Sequence, residues 1–246
     1  MSKRADHGAI AAFVTPGASV LDVGCGDGAL LAFLRETRGC DGRGLELSQA
    51  GVNACVAKGL SVVQGDADRD LAFYPDKGFD FAILSHTIGE VRDPFRVLHE
   101  LQRVGHRVIV SFPNFGHWRA RWTYFAGGRA PSTPGSAAAW HDRQASRPCT
   151  VRDFAALAKE LGLKITRAAP IAGGKTGPPF AEILWRANWF AEEVVCLLAP
   201  HLGGQAGAGE AEALAVGEAG QGVAMAGDGG QGAPRPPPAA AFSLVE

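Results

Sequence analysis

The clearest chemical pattern lies in "VLDVGCGDGALLAFL", where an apolar run closes on Asp22 and Val23 and is followed by Gly24, Gly26 and Gly28, then by a helical pattern. Glycines there free the turn's dihedrals, and a Cβ on Gly24 or Gly26 would occupy the space of a ligand approaching the backbone. A dinucleotide-binding loop reads GxGxxG and delivers a pyrophosphate to a helix N-terminus; here the third glycine comes one position early. The spacing therefore departs from the dinucleotide fingerprint. About 20 residues further on, Glu46 ends the next apolar run, where a carboxylate can accept both hydroxyls of a ribose. Asp66 follows the third run, and Ser85 with His86 closes the fourth. Asp22 is read as orienting the loop and Asp27 as a solvated acid at the helix start, where its charge suits the dipole. Cys25 is assigned no chemistry.

These residues need a scaffold of alternating strands and helices. Candidate strands are residues 19–24, 42–47, 60–65, 79–86 and 107–112, each an apolar run of the kind expected for strands covered on both faces. Between them, "GALLAFLRETRG", "AGVNACVAKG" and "DPFRVLHELQRVG" carry helical spacing and close on glycine. The order implies an α/β fold with a mostly parallel sheet. A long Gly-, Pro- and Ala-rich connector, residues 124–149, then precedes a helix at "CTVRDFAALAKELGLKI", with Thr150 as N-cap and Asp153 at the capping-box offset. "LKITRAAPI" reads as a strand, and "FAEILWRANWFAEEVVCLLA" as either another strand running into a helix or one helix. We expect one domain over residues 1–202 and a disordered tail over 203–246, whose Gly, Ala and Pro content buries too little apolar surface to offset its ordering entropy.

A net charge of -1 argues against a strongly basic nucleic-acid protein. The five cysteines, Cys25, Cys40, Cys55, Cys149 and Cys196, are scattered and form no zinc-type pairs, so no metal site is expected. Their number and spacing fit a reducing cytosol. Asp6 and His7 stand where a signal peptide would have its apolar core, and no window is apolar and long enough for a membrane span. A cytoplasmic protein is expected.

The glycine loop with Glu46 and Asp66 resembles the first motifs of class I S-adenosylmethionine-dependent methyltransferases, which implies a Rossmann-like sheet with helices on both faces. That resemblance places Asp22, Gly24, Gly26, Gly28, Glu46, Asp66 and Ser85 at an S-adenosylmethionine or S-adenosylhomocysteine pocket, Asp66 near the adenine and Ser85 with His86 near the reactive end. Within that fold, "VLDVGCGDGALLAFLR", "GVNACVAKGLSVVQGDAD", "FDFAILSHTI", "LHELQRVGHRVIVSFPNFGHWRARW" and "CTVRDFAALAKELGLKI" are similar to the MetW family of methionine biosynthesis. "SFPNFGHWR" is the most specific of these strings. The chain departs from the family at "SHTIG", where SQTLQ is usual, and at "WHDRQASRPCT", which keeps Trp140, Asp142, Cys149 and Thr150 of WYDTPNIHLCT. Membership implies association with, and activation of, a MetX-type homoserine O-acyltransferase. The alternative is a methyltransferase of unknown acceptor.

No acceptor signature of the NPPY kind follows the fourth strand, and no GxSxG elbow is present for acyl transfer. His86 is the candidate base, while His117 and His141 are read as packing beside Trp118 and Trp140. Pro113 and Asn114 are expected to shape the pocket rim. Beyond them, Trp118, Arg119 and Trp122 have the composition of interface hot spots and are the proposed partner-binding anchors.

Overall fold

The computed structural model describes residues 5–127, 147–179 and 184–200. Trp140, His141, Asp142, residues 128–146 of the connector and the tail at 203–246 lie outside the described residues. In chain order the elements are α1 (Ala5–Phe13), β1 (Ser19–Val23), α2 (Ala29–Arg38), β2 (Asp41–Glu46), α3 (Gln49–Ala57), β3 (Ser61–Gln64) and the short α4 (Ala67–Asp70). There follow β4 (Phe79–Ser85), α5 (Pro94–Val104), β5 (Gly105–Pro113), α6 (Trp118–Gly127), α7 (Val151–Glu160), β6 (Leu163–Ala172), β7 (Lys175–Thr176), α8 (Leu184–Phe190) and β8 (Glu193–Pro200).

The strands form one sheet in the order β3-β2-β1-β4-β5-β8-β6-β7. Pairing is parallel from β3 through β5; β8 then enters antiparallel between β5 and β6. Because side chains alternate along a strand, each face gathers its own core. Leu21, Ala82, Val110 and Phe112 pack with Leu98 and Leu101 of α5 and Phe154 of α7 on one face. Val20, Phe81 and Ile109 pack with Ile10 of α1 and Leu31 and Leu34 of α2 on the other. The expected burial on both faces holds in the middle of the sheet and fails at β3. That strand has a neighbour on one side only, and its Val63 is exposed.

The expectation for residues 180–199 is also corrected: a helix comes first and a strand second. The run Val194–Leu198 is buried because it fills the gap between β5 and β6, which demands an extended chain with apolar side chains on both faces.

Asn114, expected at the pocket rim, is instead a buried staple. Its Nδ2 donates toward the carbonyls of Ala187, Asn188 and Ala191 at 3.2, 3.1 and 2.8 Å, capping α8. Its Oδ1 accepts from Gly116 N–H at 2.9 Å and Val151 N–H at 3.3 Å, the latter at the first turn of α7. Its own N–H donates to the Glu192 carbonyl at 2.9 Å. One side chain thus joins the exit of β5, the start of α7 and the end of α8. Thr150 caps α7 as expected, its Oγ1 accepting from Asp153 N–H at 3.2 Å.

Removing a buried group that serves several partners costs about 1–3 kcal/mol for each partner left unsatisfied. Asn114→Ala is therefore expected to lower stability by about 3 kcal/mol or more in urea unfolding. Asn114→Asp, which keeps the acceptor and loses the donors, is expected to be destabilised as well; an unchanged midpoint in either variant would refute the staple.

Candidate functional site

The glycine loop follows β1 directly, and Gly24, Gly26 and Gly28 all have left-handed φ, at 72°, 56° and 72°. The reason each is glycine differs. A Cβ on Gly24 would come within 2.5 Å of the Thr87 hydroxyl, and one on Gly28 would strike Leu60 and Cys55. At Gly24 the positive φ bears out the demand of the turn on its dihedrals, and packing against Thr87 adds a second reason for glycine. Gly26 alone of the three faces open space, with nothing within 4 Å of an added Cβ.

Glu46 at the end of β2 is the hub of this corner. Its Oε2 accepts from Gly26 N–H at 2.9 Å, and its Oε1 accepts from Ser48 N–H at 2.9 Å and Ser48 Oγ–H at 2.7 Å. Each carboxylate oxygen has two lone pairs, so Oε2 keeps one acceptor position. Ser48 also caps α3 by accepting from Gly51 N–H at 3.1 Å. Gly51 allows that approach, since a Cβ there would lie 2.7 Å from Glu46 Cγ and 2.8 Å from the Gly26 carbonyl oxygen. Sequence reading missed Ser48, Gly51 and Thr87. Ser48 was legible as a helix N-cap; the other two depend on three-dimensional proximity.

Asp66 caps α4 at the end of β3, accepting from Asp68 N–H at 3.0 Å, with the Arg92 guanidinium 3.6 Å from its Oδ2. Asp22 is buried in β1. Asp27 is exposed and paired with Lys58 at 2.7 Å, and that ammonium holds its carboxyl below the usual range. Under the loop, Cys25 Sγ lies 3.8 Å from Cys55 Sγ and fills the space that a Cβ on Gly44 would need.

At the end of β4, Ser85 Oγ–H donates to Asp6 Oδ2 at 3.2 Å and accepts from Ser111 Oγ–H at 3.2 Å. His86 follows with φ 58°, unusual for a residue with a Cβ. Its Nε2 is hydrogen-bonded to Glu193 Oε1 and lies 3.4 Å from Asp6 Oδ2. Neither Asp6 nor Glu193 was singled out from sequence, being 80 and 107 residues from His86. With Nε2 occupied, only Nδ1 is open to act as a base.

Trp118, Arg119 and Trp122 are brought together on α6, a helix none of whose residues is buried. Trp122 is 62% exposed and Phe125 86%, with their rings 6.1 Å apart. The Arg119 guanidinium lies 5.4 Å from the Trp118 ring, and Arg121 lies 4.3 Å from the Trp189 ring of α8. Trp185, Trp189 and Phe190 of α8 are exposed too. Monomeric surfaces rarely show so many large apolar groups together. His117 is buried beneath α6, and burial lowers its pKa below the ordinary imidazole value.

A mostly parallel sheet in this order, with β8 antiparallel, a glycine loop after β1 and an acid ending β2, is the class I S-adenosylmethionine-dependent methyltransferase fold. A solved S-adenosylmethionine-dependent methyltransferase of Thermotoga maritima shares it, with a TM-score of 0.58 at 18% identity over 78% of this chain and 86% of its own. The chain belongs to the family described as methionine biosynthesis protein MetW, which it matches over residues 4–198. It is 34% identical over 169 residues to the bifunctional methionine biosynthesis protein MetXA/MetW of Rhodopirellula baltica, covering 65% of this chain and 27% of that protein. It is also 40% identical over 104 residues to a fatty-acid O-methyltransferase of Mycolicibacterium smegmatis, covering 40% of this chain and 37% of that enzyme. The chain thus spans well under half the length of either relative.

No cysteine here is suited to nucleophilic work. Burial raises all five thiols, with the Asp22 carboxylate adding to the effect at Cys25, and Cys149 is pushed up to about 12. A raised pKa leaves the unreactive thiol form at neutral pH. Iodoacetamide at pH 7 is expected to leave the folded protein almost unmodified and to label all five positions in denaturant; rapid native labelling at Cys25 or Cys149 would contradict this.

Proposed function

We propose that this protein is an adenosyl-ligand-binding activator of a MetX-type homoserine O-acyltransferase. The observation that carries the proposal is the aromatic surface of α6 and α8, which no described residue covers and whose Trp and Arg content matches interface hot spots. The joining of MetXA and MetW in the R. baltica relative, a bifunctional protein, supports the same partner. Acyl transfer itself belongs to that partner, because this chain has no nucleophile elbow.

The residues present fit S-adenosylmethionine or S-adenosylhomocysteine. Gly26 admits a ligand to the backbone, Glu46 offers an acceptor position for a ribose hydroxyl, and Asp66 stands at the next strand end as an acceptor for an amino group. Asp22, buried near the end of β1, orients the loop, and Ser85 lines the far end. When bound, S-adenosylmethionine carries an activated methyl group; for an activating subunit it need supply only binding energy that differs between two states of the complex. The likeness to a fatty-acid O-methyltransferase favours a second reading, methyl transfer to an unknown acceptor with His86 Nδ1 as the base.

Two measurements test these readings. Purified with a MetX-type acyltransferase, the protein is expected to co-elute with it and to raise its rate of homoserine acylation. Trp118→Ala with Trp122→Ala is expected to weaken that association by more than about 30-fold, the cost of a typical hot spot. Absence of both binding and stimulation would leave the methyltransferase reading. In calorimetry, Glu46→Ala is expected to bind S-adenosylmethionine at least about tenfold more weakly, since a hydrogen bond to a charged group is lost; undiminished binding would remove Glu46 from the pocket.

A further inference from the structure

We infer that Asp6, His86 and Glu193 form a binding site for a divalent first-row metal ion, with zinc as the best-matched ion. The inference is independent of the partner proposed above. The three residues come from α1, the end of β4 and the start of β8. One donor atom from each lies within 4.8 Å of the other two.

Two carboxylates converge on the same ring nitrogen. Nε2 holds at most one proton, and it is hydrogen-bonded to Glu193 Oε1 while Asp6 Oδ2 faces it at 3.4 Å. On the far side of Asp6, His7 Nε2 stands 3.9 Å from Oδ1. A dication between them would meet the Nε2 lone pair and one oxygen of each carboxylate. Ligands about 2.0–2.1 Å from a tetrahedral zinc stand about 3.3 Å from one another, which is the separation already present between Nε2 and Asp6 Oδ2. The Glu193 contact is shorter and has to lengthen as the proton leaves; its carboxylate, 18% exposed, has room to do so.

The cluster is also held in place. Asp6 is fully buried, and the Ser85 hydroxyl donates to the oxygen that faces His86, the kind of outer contact that orients a ligating carboxylate. His86 N–H donates to the Ser111 carbonyl at 2.9 Å, fixing the ring's backbone in its left-handed conformation. One imidazole with two carboxylates suits zinc, manganese or ferrous iron, whereas calcium and magnesium prefer oxygen alone. Three protein ligands leave a fourth position for water or for an oxygen of a ligand at the end of β4.

The test uses the full chain, stripped with a chelator and titrated with zinc against a chromogenic zinc indicator. One equivalent is expected to bind, and His86→Asn and Glu193→Gln are each expected to bind at least about tenfold more weakly. Asparagine tolerates the positive φ at position 86, and circular dichroism checks both folds. Cobalt substitution of the unmutated protein is a second readout, expected to give visible d–d bands without a thiolate-to-metal charge-transfer band. Absence of stoichiometric binding, unchanged affinity in either folded variant, or a thiolate band would overturn the assignment.

Discussion

The carboxamide of Asn114 is the interaction on which the most separate parts of this structure depend. It meets backbone groups from the β5 exit, the first turn of α7 and the last turn of α8, none of which is adjacent in sequence to the other two. Only a side chain with both donors and an acceptor can serve them, and the site is buried, so water cannot replace it. By stopping α8 where it does, it leads the chain through Glu192 to Glu193, the first residue of β8. Glu193 then meets His86, and Glu192 lies 3.6 Å from Arg119 on α6. One buried amide therefore sets the geometry of the acid-histidine cluster and that of the aromatic surface. This accounts for the specificity of "SFPNFGHWR": its Asn114 is a structural joint, and its Trp118 and Arg119 are presented by that joint.

The glycine loop follows a similar economy. Of its three glycines, two are demanded by protein neighbours, Thr87 in one case and Leu60 with Cys55 in the other, and the third faces open space. Glu46 braces the same loop before any ligand arrives, through Gly26 N–H and Ser48. A loop braced in this way would lose little freedom to the adenosyl ligand proposed above, and that is how preorganisation raises affinity.

What the sequence disclosed was what is local. The strands at β1, β2, β4 and β5, the glycine loop, and the Thr150 cap each announce themselves within a few residues, through apolar runs, glycine spacing or capping chemistry. What escaped depends on long-range pairing. The order of α8 and β8 was misread because β8 is extended only by virtue of its two flanking strands. The exposed edge at β3 could not be seen from a run that reads as apolar as its neighbours. Asp6 and Glu193 look like ordinary surface acids until the sheet brings them to His86. The positive φ of Gly24 was legible from the turn, whereas its contact with Thr87, more than sixty residues away, was not.

The position of β8 also constrains how the chain comes to be folded. Strands β1 to β5 pair with partners made before or shortly after them, so this part of the sheet can assemble as it is synthesised. The remainder cannot, because β6 has only the two-residue β7 beside it until β8 arrives, and α1, which precedes every strand in the chain, packs against β8. Loop closure over nearly two hundred residues is needed before the first helix finds its final neighbour. Until then the apolar edge of β5 stands open, and chaperone capture or premature association competes with the insertion of a single strand.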